Sequence, residues 1–333
     1  MKKAFMLVAV VAMFAAPVFA EVALSGELDY GFMMNADDTE GKFNKIELDI
    51  KATVDEFNSF SMEIEDKQKT NDPGDVALML NWATLTTNWG AMYDLPVGVE
   101  TTVGYDGFGA GDDNYITGYE YEATGGSYLA KEGAAKVSLS FMDGMVSTMI
   151  AHNFDYKDGA DAAEVLIGLT VDYAPVLVMA YYNTSGADMF GIEVVSNLEL
   201  SEGMTLDLSG SLQMDLDDTV AAGSETMFGF GAAFGMDALA TSVSFKGNDD
   251  TAFSMLGAHV AYDVTEKLTA KAAANFSFND GDDTFQTATI MASVQATDAV
   301  SYDAGYVIAD ATGANAYGPI SKLVDGGFFM NAR

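Results

Sequence analysis

The chain has no cysteine in 333 residues, only five prolines, two histidines, two tryptophans and one arginine, Arg333. Without cysteine there is no disulfide, no thiolate metal centre and no lipid-modified cysteine anchor. After the first twenty residues, no stretch approaches the ~20 consecutive apolar residues of a membrane helix, although 49% of the chain is hydrophobic. Basic residues are scarce: Lys and Arg number 15 against 50 Asp and Glu, for a formal charge of −35. Phosphate binding needs a basic footprint, so nucleic acid is excluded as a partner. Acidity in a chain this apolar points instead to water, cations and divalent ions around it, and a saline habitat would produce the same balance. Acid–base catalysis has little to work with. His152 and His259 are the only histidines, no nucleophile motif surrounds either, and both read as structural polar residues of a non-enzyme.

Residues 1–20 form a separate segment. Met1-Lys2-Lys3 is basic, Ala4 to Phe19 is apolar, and Val18-Phe19-Ala20 ends in a small-residue cleavage signal before Glu21, the layout of a secretory signal peptide. The expectation is a cleaved signal over 1–20 and a single domain over 21–333.

What is present is alternation. In 22–32, Val22, Leu24, Leu28, Tyr30 and Phe32 fall on one face, and Ser25, Glu27, Asp29 and Gly31 on the other. The pattern returns in 43–54, 204–215 and 268–277, each about ten residues, the length a tilted strand needs to cross a hydrocarbon layer. From mid-chain the connections alternate too. Short turns such as Asp143-Gly144, Ala174-Pro175, Asp237-Ala238 and Thr297-Asp298-Ala299 are interleaved with longer, mostly acidic segments at 155–162, 184–188, 216–225, 247–251, 279–283 and 311–318. Aromatics mark both ends of the apolar band. Phe32, Tyr105, Phe154, Tyr182, Phe245 and Phe276 approach the long loops, and Phe141, Tyr173, Tyr262 and Tyr302 lie beside short turns. Together these features give an all-β fold class: a closed antiparallel transmembrane β-barrel with lipid outside and water inside. About 18 crossings result if 106–134 is one long excursion after the fifth strand, with a last crossing within 319–333. The alternative is 16, since even numbers close a single-chain barrel.

Val22-x-Leu24-x-Gly26-x-Leu28-Asp29-x-Gly31 resembles the opening strand of Gram-negative general porins over about ten residues, and elsewhere the resemblance is one of layout. The excursion at 106–134 sits where those proteins place a third loop that folds into the barrel. The resemblance implies a homotrimeric diffusion channel in the outer membrane, narrowed by that loop. Two features depart from the family. The chain ends Phe328-Phe329-Met330-Asn331-Ala332-Arg333 rather than in a terminal phenylalanine, and it has no arginine cluster to face the loop's acids.

Candidate functional residues follow from the inward faces. Asp106, Asp112, Asp113, Glu120 and Glu122 would form a negative constriction if the excursion folds inward, since a ring of acids favours cations. The alternative makes Tyr115 to Glu122 a plain strand and the aspartates surface loop. Expected pore-lining residues are Glu27, Asp29, Lys45, Glu47, Asp49, Lys51, Lys136, Asp207 and Lys271, with Glu63, Glu65, Glu193 and Asp303 adding negative charge. Lys45, Glu47, Asp49 and Lys51 share one strand face and would largely neutralise one another. Gly229, Gly231 and Gly235 fall in a strand pattern and read as packing or bend glycines, not a phosphate loop. The aspartates at 217–218, 249–250 and 280–283 match no dedicated calcium loop. No cofactor or metal centre is expected, only loose divalent ions bridging acidic loops to lipopolysaccharide. The functional expectation is a cation-preferring porin for small hydrophilic solutes. The alternatives are a structural or adhesive outer-membrane barrel and a secreted soluble acidic β-protein.

Overall fold

The two-faced segments at 22–32, 204–215 and 268–277, and all but the last residue of 43–54, lie in strands, and the strands of the wall pair antiparallel with their neighbours. The structure is a computed structural model that describes residues 21–34, 39–66, 78–110, 127–128, 132–153, 164–184, 188–216, 226–249, 255–279, 282–309 and 327–332. The signal read at 1–20 lies outside the described residues. The first strands are β1 (Glu21–Met34), β2 (Thr39–Thr53), β3 (Asn58–Asp66), β4 (Leu78–Asn88) and β5 (Gly98–Asp106), with the short helix α1 (Trp89–Met92) between the last two. Two-residue strands β6 (Gly109–Ala110) and β7 (Ser127–Tyr128) pair only with each other. The wall resumes with β8 (Glu132–Phe141), β9 (Val146–Asn153), β10 (Val165–Tyr173), β11 (Val176–Asn183), β12 (Met189–Ser201) and β13 (Met204–Asp215). It continues through β14 (Thr226–Met236), β15 (Leu239–Asn248), β16 (Met255–Thr265), β17 (Leu268–Asn279), β18 (Asp282–Thr297), β19 (Val300–Ala309) and β20 (Gly327–Ala332). β20 pairs with both β19 and the end of β1, so an 18-stranded sheet closes on itself.

The two faces differ as alternation requires. Leu24, Leu28, Ile150, Ile167, Leu169, Ile290 and Ile308 are exposed on the outside, while Asp29, Thr102, Glu193, Ser211 and Thr289 are buried on the inside. A soluble sandwich would reverse this, because exposed apolar area in water costs about 25 cal/mol per Å²; a barrel in lipid shows this arrangement. No helix among the described residues is long and apolar enough to cross a membrane. Tyr30 and Tyr105 are exposed at one rim and Phe141, Tyr173, Tyr262 and Tyr302 at the other, as two interfacial girdles require.

Short connections gather at one rim. Between β8 and β9, Met142 and Asp143 take φ of 54° and 57°, and Gly144 N–H donates to Phe141 O at 3.1 Å. Two successive positive φ values give the turn whose twist matches a right-handed strand pair. Between β4 and β5, Asn88 caps α1 by accepting from Ala91 N–H at 2.9 Å, and Trp89 Nε1–H donates to Thr101 Oγ1 at 2.8 Å.

The structure corrects two boundaries. The segment 279–283 is not a longer loop: pairing runs on to Asn279 opposite Asp282, leaving only 280–281 between β17 and β18. The excursion after β5 is 107–131, because β5 and β8 stay paired up to Asp106 opposite Glu132. The last crossing, expected within 319–333, is present as β20, the described part of which pairs with β19 and with Tyr30–Met34 of β1.

Candidate functional site

The lumen is the one compartment that all eighteen wall strands share, and cross-strand register decides which charges meet there. On β1, β2 and β3, Glu27 lies opposite Glu47 and Glu47 opposite Glu65; one step along, Ser25 lies opposite Asp49 and Asp49 opposite Glu63. Each strand places its acids on the inward face, and the pairing stacks those faces side by side. The result is a carboxylate wall. Oxygens of Glu47, Asp49 and Glu63 all lie within 4.8 Å of one another. Ser25 Oγ–H donates to Asp49 Oδ2 at 3.4 Å, and Asn81 Nδ2–H donates to Glu63 Oε1 from a bulge that opens β4 at this point. Asp29, 5% exposed, lies above them opposite Lys45. Like charges this close repel by roughly 1 kcal/mol per pair even in bulk water.

The sequence alone suggests that Lys45 and Lys51 neutralise Glu47 and Asp49 along their own strand. In the barrel, the cross-strand neighbours of Glu47 and Asp49 are Glu27, Glu65, Ser25 and Glu63, whereas Lys51 faces Ala23 and Ser61. Asp303 is on the inward face of β19, beside Asn331 of β20. Across the lumen, Glu193 and Asp207 are on the inward faces of β12 and β13; Lys136, Lys246 and Lys271 occupy inward positions on β8, β15 and β17. Lys246 was not anticipated from the sequence, although it lies two residues from Ser244 in the same alternation.

The excursion begins inside the barrel. Asp106 stands at an inward position at the end of β5, where its Oδ1 accepts from Gly107 N–H at 2.8 Å. The other expected constriction acids, Asp112, Asp113, Glu120 and Glu122, lie outside the described residues. β6 rests against β10 and β11, and β7 against β11. Phe108 and Ala110 join a buried apolar cluster with Ala134, Ala151, Leu166 and Tyr181, flanked by Met149 and Met189. A Cβ on Gly168 would come 3.2 Å from Ala110 Cβ, so glycine there lets the strap lie close on β10. Gly191 has the same role for the Tyr181 ring, which covers it. Lys136 Nζ stands 5.0 Å from the centre of the Phe108 ring, a cation–π contact. Leu166 and Tyr181 put apolar bulk at inward positions, as Met179, Met291, Val307 and Phe329 do elsewhere on the wall, so this pattern does not by itself single out the anchor.

No catalytic pairing forms from the two histidines. His152 has the outward parity of Ile150, and its Nδ1 lies 3.0 Å from Glu164 O, while His259 lies inward on β16 opposite Ser242 and Ala273.

No protein-family model matches the chain, and no curated protein matches it in sequence. Solved structures do match its backbone. Pseudomonas aeruginosa OprD aligns with a TM-score of 0.58 at 10% identity, over 94% of each chain. Pseudomonas aeruginosa OpdL aligns with a TM-score of 0.59 at 10% identity, over 94% of this chain and 97% of that one. A mutant porin of Rh. blastica aligns with a TM-score of 0.50 at 12% identity, over 82% of this chain and 99% of that one. The fold is that of an outer-membrane porin. At these identities the likeness is one of backbone architecture, and the residues that line this porin-like barrel are its own.

Proposed function

We propose that the chain is an outer-membrane porin: a water-filled channel for passive diffusion of small hydrophilic solutes and ions, with cations preferred. The carrying observation is the inward carboxylate wall of β1 to β3, on which Glu27, Glu47, Asp49, Glu63 and Glu65 converge in register. A closed barrel with apolar residues outside gives the path through lipid, and the apolar anchor at Phe108 holds the start of the excursion against the wall. No step needs a catalytic group or a cofactor. Selectivity follows from charge at close quarters: cations concentrate along the acidic wall and anions are repelled by it. Asp106, and with it Asp112, Asp113, Glu120 and Glu122, would add to the same field. A cleaved export signal, a homotrimer surrounded by lipid and lipopolysaccharide, and loose divalent ions at the acidic outer loops belong to the same reading.

Planar-bilayer recording of the purified protein in a potassium chloride gradient tests it. Stepwise conductance with a reversal potential displaced toward the potassium equilibrium potential is the expected result. A folded, inserted protein that passes no current would instead favour the structural or adhesive barrel.

A further inference from the structure

The anchor that receives Phe108 contains side chains whose polarity can change in place. Met149 of β9 and Met189 of β12 pack against its buried cluster, and both remain half-buried at the edge rather than enclosed. Both stand at inward positions, Met149 opposite Gly168 and Met189 opposite Asn183, so their exposed atoms meet lumenal water. Other methionines are placed differently. Met179 and Met291 also point inward but are only 8% and 7% exposed, and Met330 is exposed on the outer, lipid-facing side.

The two thioethers are held in different company. A Cβ at Gly168 would stand 3.1 Å from Met149 Cγ, 3.6 Å from Met149 Cε and 3.2 Å from Ala110 Cβ. The sulfur of Met149 is bonded to both of those carbons, so it lies over the bare backbone of Gly168, in the seam between β10 and the strap. The Ala110 methyl shares that spot. Met189 Sδ instead accepts from Nε2–H of Gln213 on the neighbouring β13. Gln213 is itself 8% exposed, so a buried amide donor already points at this sulfur.

We infer that Met149 is an oxidation site whose modification weakens the anchor of Phe108 and Ala110, with a small hydroperoxide from the lumen as the reagent. The sulfur lone pair attacks one peroxide oxygen and an S–O bond forms. The O–O bond breaks, and the other oxygen takes up the proton and leaves as water when the reagent is hydrogen peroxide. The sulfur is oxidised by one electron pair and the peroxide is reduced by the same pair. The product sulfoxide is polar where the thioether was apolar. At Met149 its oxygen enters the seam against Ala110, where a polar group without a partner is costly, and docking of the strap weakens by about tenfold or more. At Met189 the oxygen inherits the Gln213 donor, for which it is a better acceptor than a thioether sulfur, and the anchor holds. The inference rests on the channel reading, which brings the oxidant to the site, but not on cation preference.

Hydrogen peroxide treatment of the purified, reconstituted protein, followed by peptide mass spectrometry and single-channel recording, tests the site and its effect separately. In the wild type, sulfoxide should appear at Met149 and Met189 before Met179 and Met291. Conductance should become larger and noisier, and methionine sulfoxide reductases should restore the untreated record. Met149→Leu, which nearly conserves volume, should conduct like the untreated wild type and keep that record after the same treatment, whereas Met189→Leu should respond as the wild type does. Met149→Gln, a polar side chain of similar length, should show the larger and noisier record with no oxidant present. A Met149 that stays reduced while Met189 is oxidised overturns the site. A Met149 sulfoxide that leaves the current unchanged, or a Met149→Leu channel that still responds to peroxide, overturns the weakening of the anchor. A folded protein that passes no current removes the channel reading instead, and the sulfoxide yield at Met149 still decides the site.

Discussion

Replacing Phe108 with alanine tests whether the strap between β5 and β8 is held inside the barrel by its apolar anchor. Phe108 is 4% exposed and packs among Ala110, Ala134, Ala151, Leu166 and Tyr181, with Lys136 over its ring. Burying a phenylalanine side chain stabilises by about 1.5–3 kcal/mol, and its loss from a packed core costs about 3–5 kcal/mol once the cavity is included. Lumenal water can enter the hole, so the lower end, about 3 kcal/mol, is the appropriate figure. The lost cation–π contact adds about 0.5–1 kcal/mol. At 1.4 kcal/mol per decade, the docked strap becomes at least one hundredfold less favoured against the released one. The wall is untouched, because Phe108 belongs to no strand of the 18-stranded sheet. Phe108→Ala should therefore insert and migrate as a folded barrel, yet show larger and noisier single-channel conductance and admit larger sugars in liposome swelling. Lys136→Met should shift the same readouts in the same direction by far less. A folded Phe108→Ala barrel with wild-type conductance, noise and size limit would refute the anchor.

Three further outcomes follow from other parts of the wall. Ile290, 65% exposed on the outer face of β18, should tolerate leucine, but Ile290→Arg should lower the unfolding free energy in bilayers by about 2–4 kcal/mol at mid-depth; a urea titration in which both behave alike would place this face out of lipid. Gly191→Val collides with the ring of Tyr181, and overpacking of this kind costs about 1–3 kcal/mol, read as an earlier urea midpoint that Tyr181→Ala restores. In the turn between β2 and β3, Asp55 Oδ1 accepts from Phe57 N–H and Asn58 N–H, both at 2.8 Å, and the Phe57 amide is the main cause that holds this carboxyl below its ordinary 3.8. A carboxyl lowered in the folded state stabilises fully above its unfolded value, and that contribution is lost as pH falls through the folded one. The deficit of Asp55→Ala in urea should therefore be present at about pH 7 and shrink at about pH 2.5; a deficit independent of pH would contradict the turn's charge-assisted bonding.

Much of the wall could be read from the chain because each strand carries its own evidence. The alternation over 204–215 has the same bounds as β13, and that over 268–277 falls short of β17 by two residues. Which residues of one strand share a face was legible for the same reason. Their company was not. Glu47 and Glu63 meet only because the β2–β3 turn sets one register, and the shift between Asp29 and Tyr30 sets how far the next charges on β1 and β2 align; neither offset appears in any single strand's periodicity. Phe108 was hidden for another reason. In a stretch of Gly and Asp it reads as loop, and the residues that receive it, Ala134, Ala151, Leu166 and Tyr181, come from four different strands.

Charge on the wall of β1 to β3 is proposed to select the ions that pass. The direct test is the reversal potential of Glu47→Gln, Asp49→Asn, Glu63→Gln in one chain, measured beside the wild type in the same potassium chloride gradient. The amides keep shape and hydrogen-bonding capacity while removing three charges whose oxygens lie within 4.8 Å. A wild-type potential displaced toward potassium and a variant potential moved most of the way to zero, at similar conductance, are the expected result. A variant that keeps the wild-type potential would contradict it.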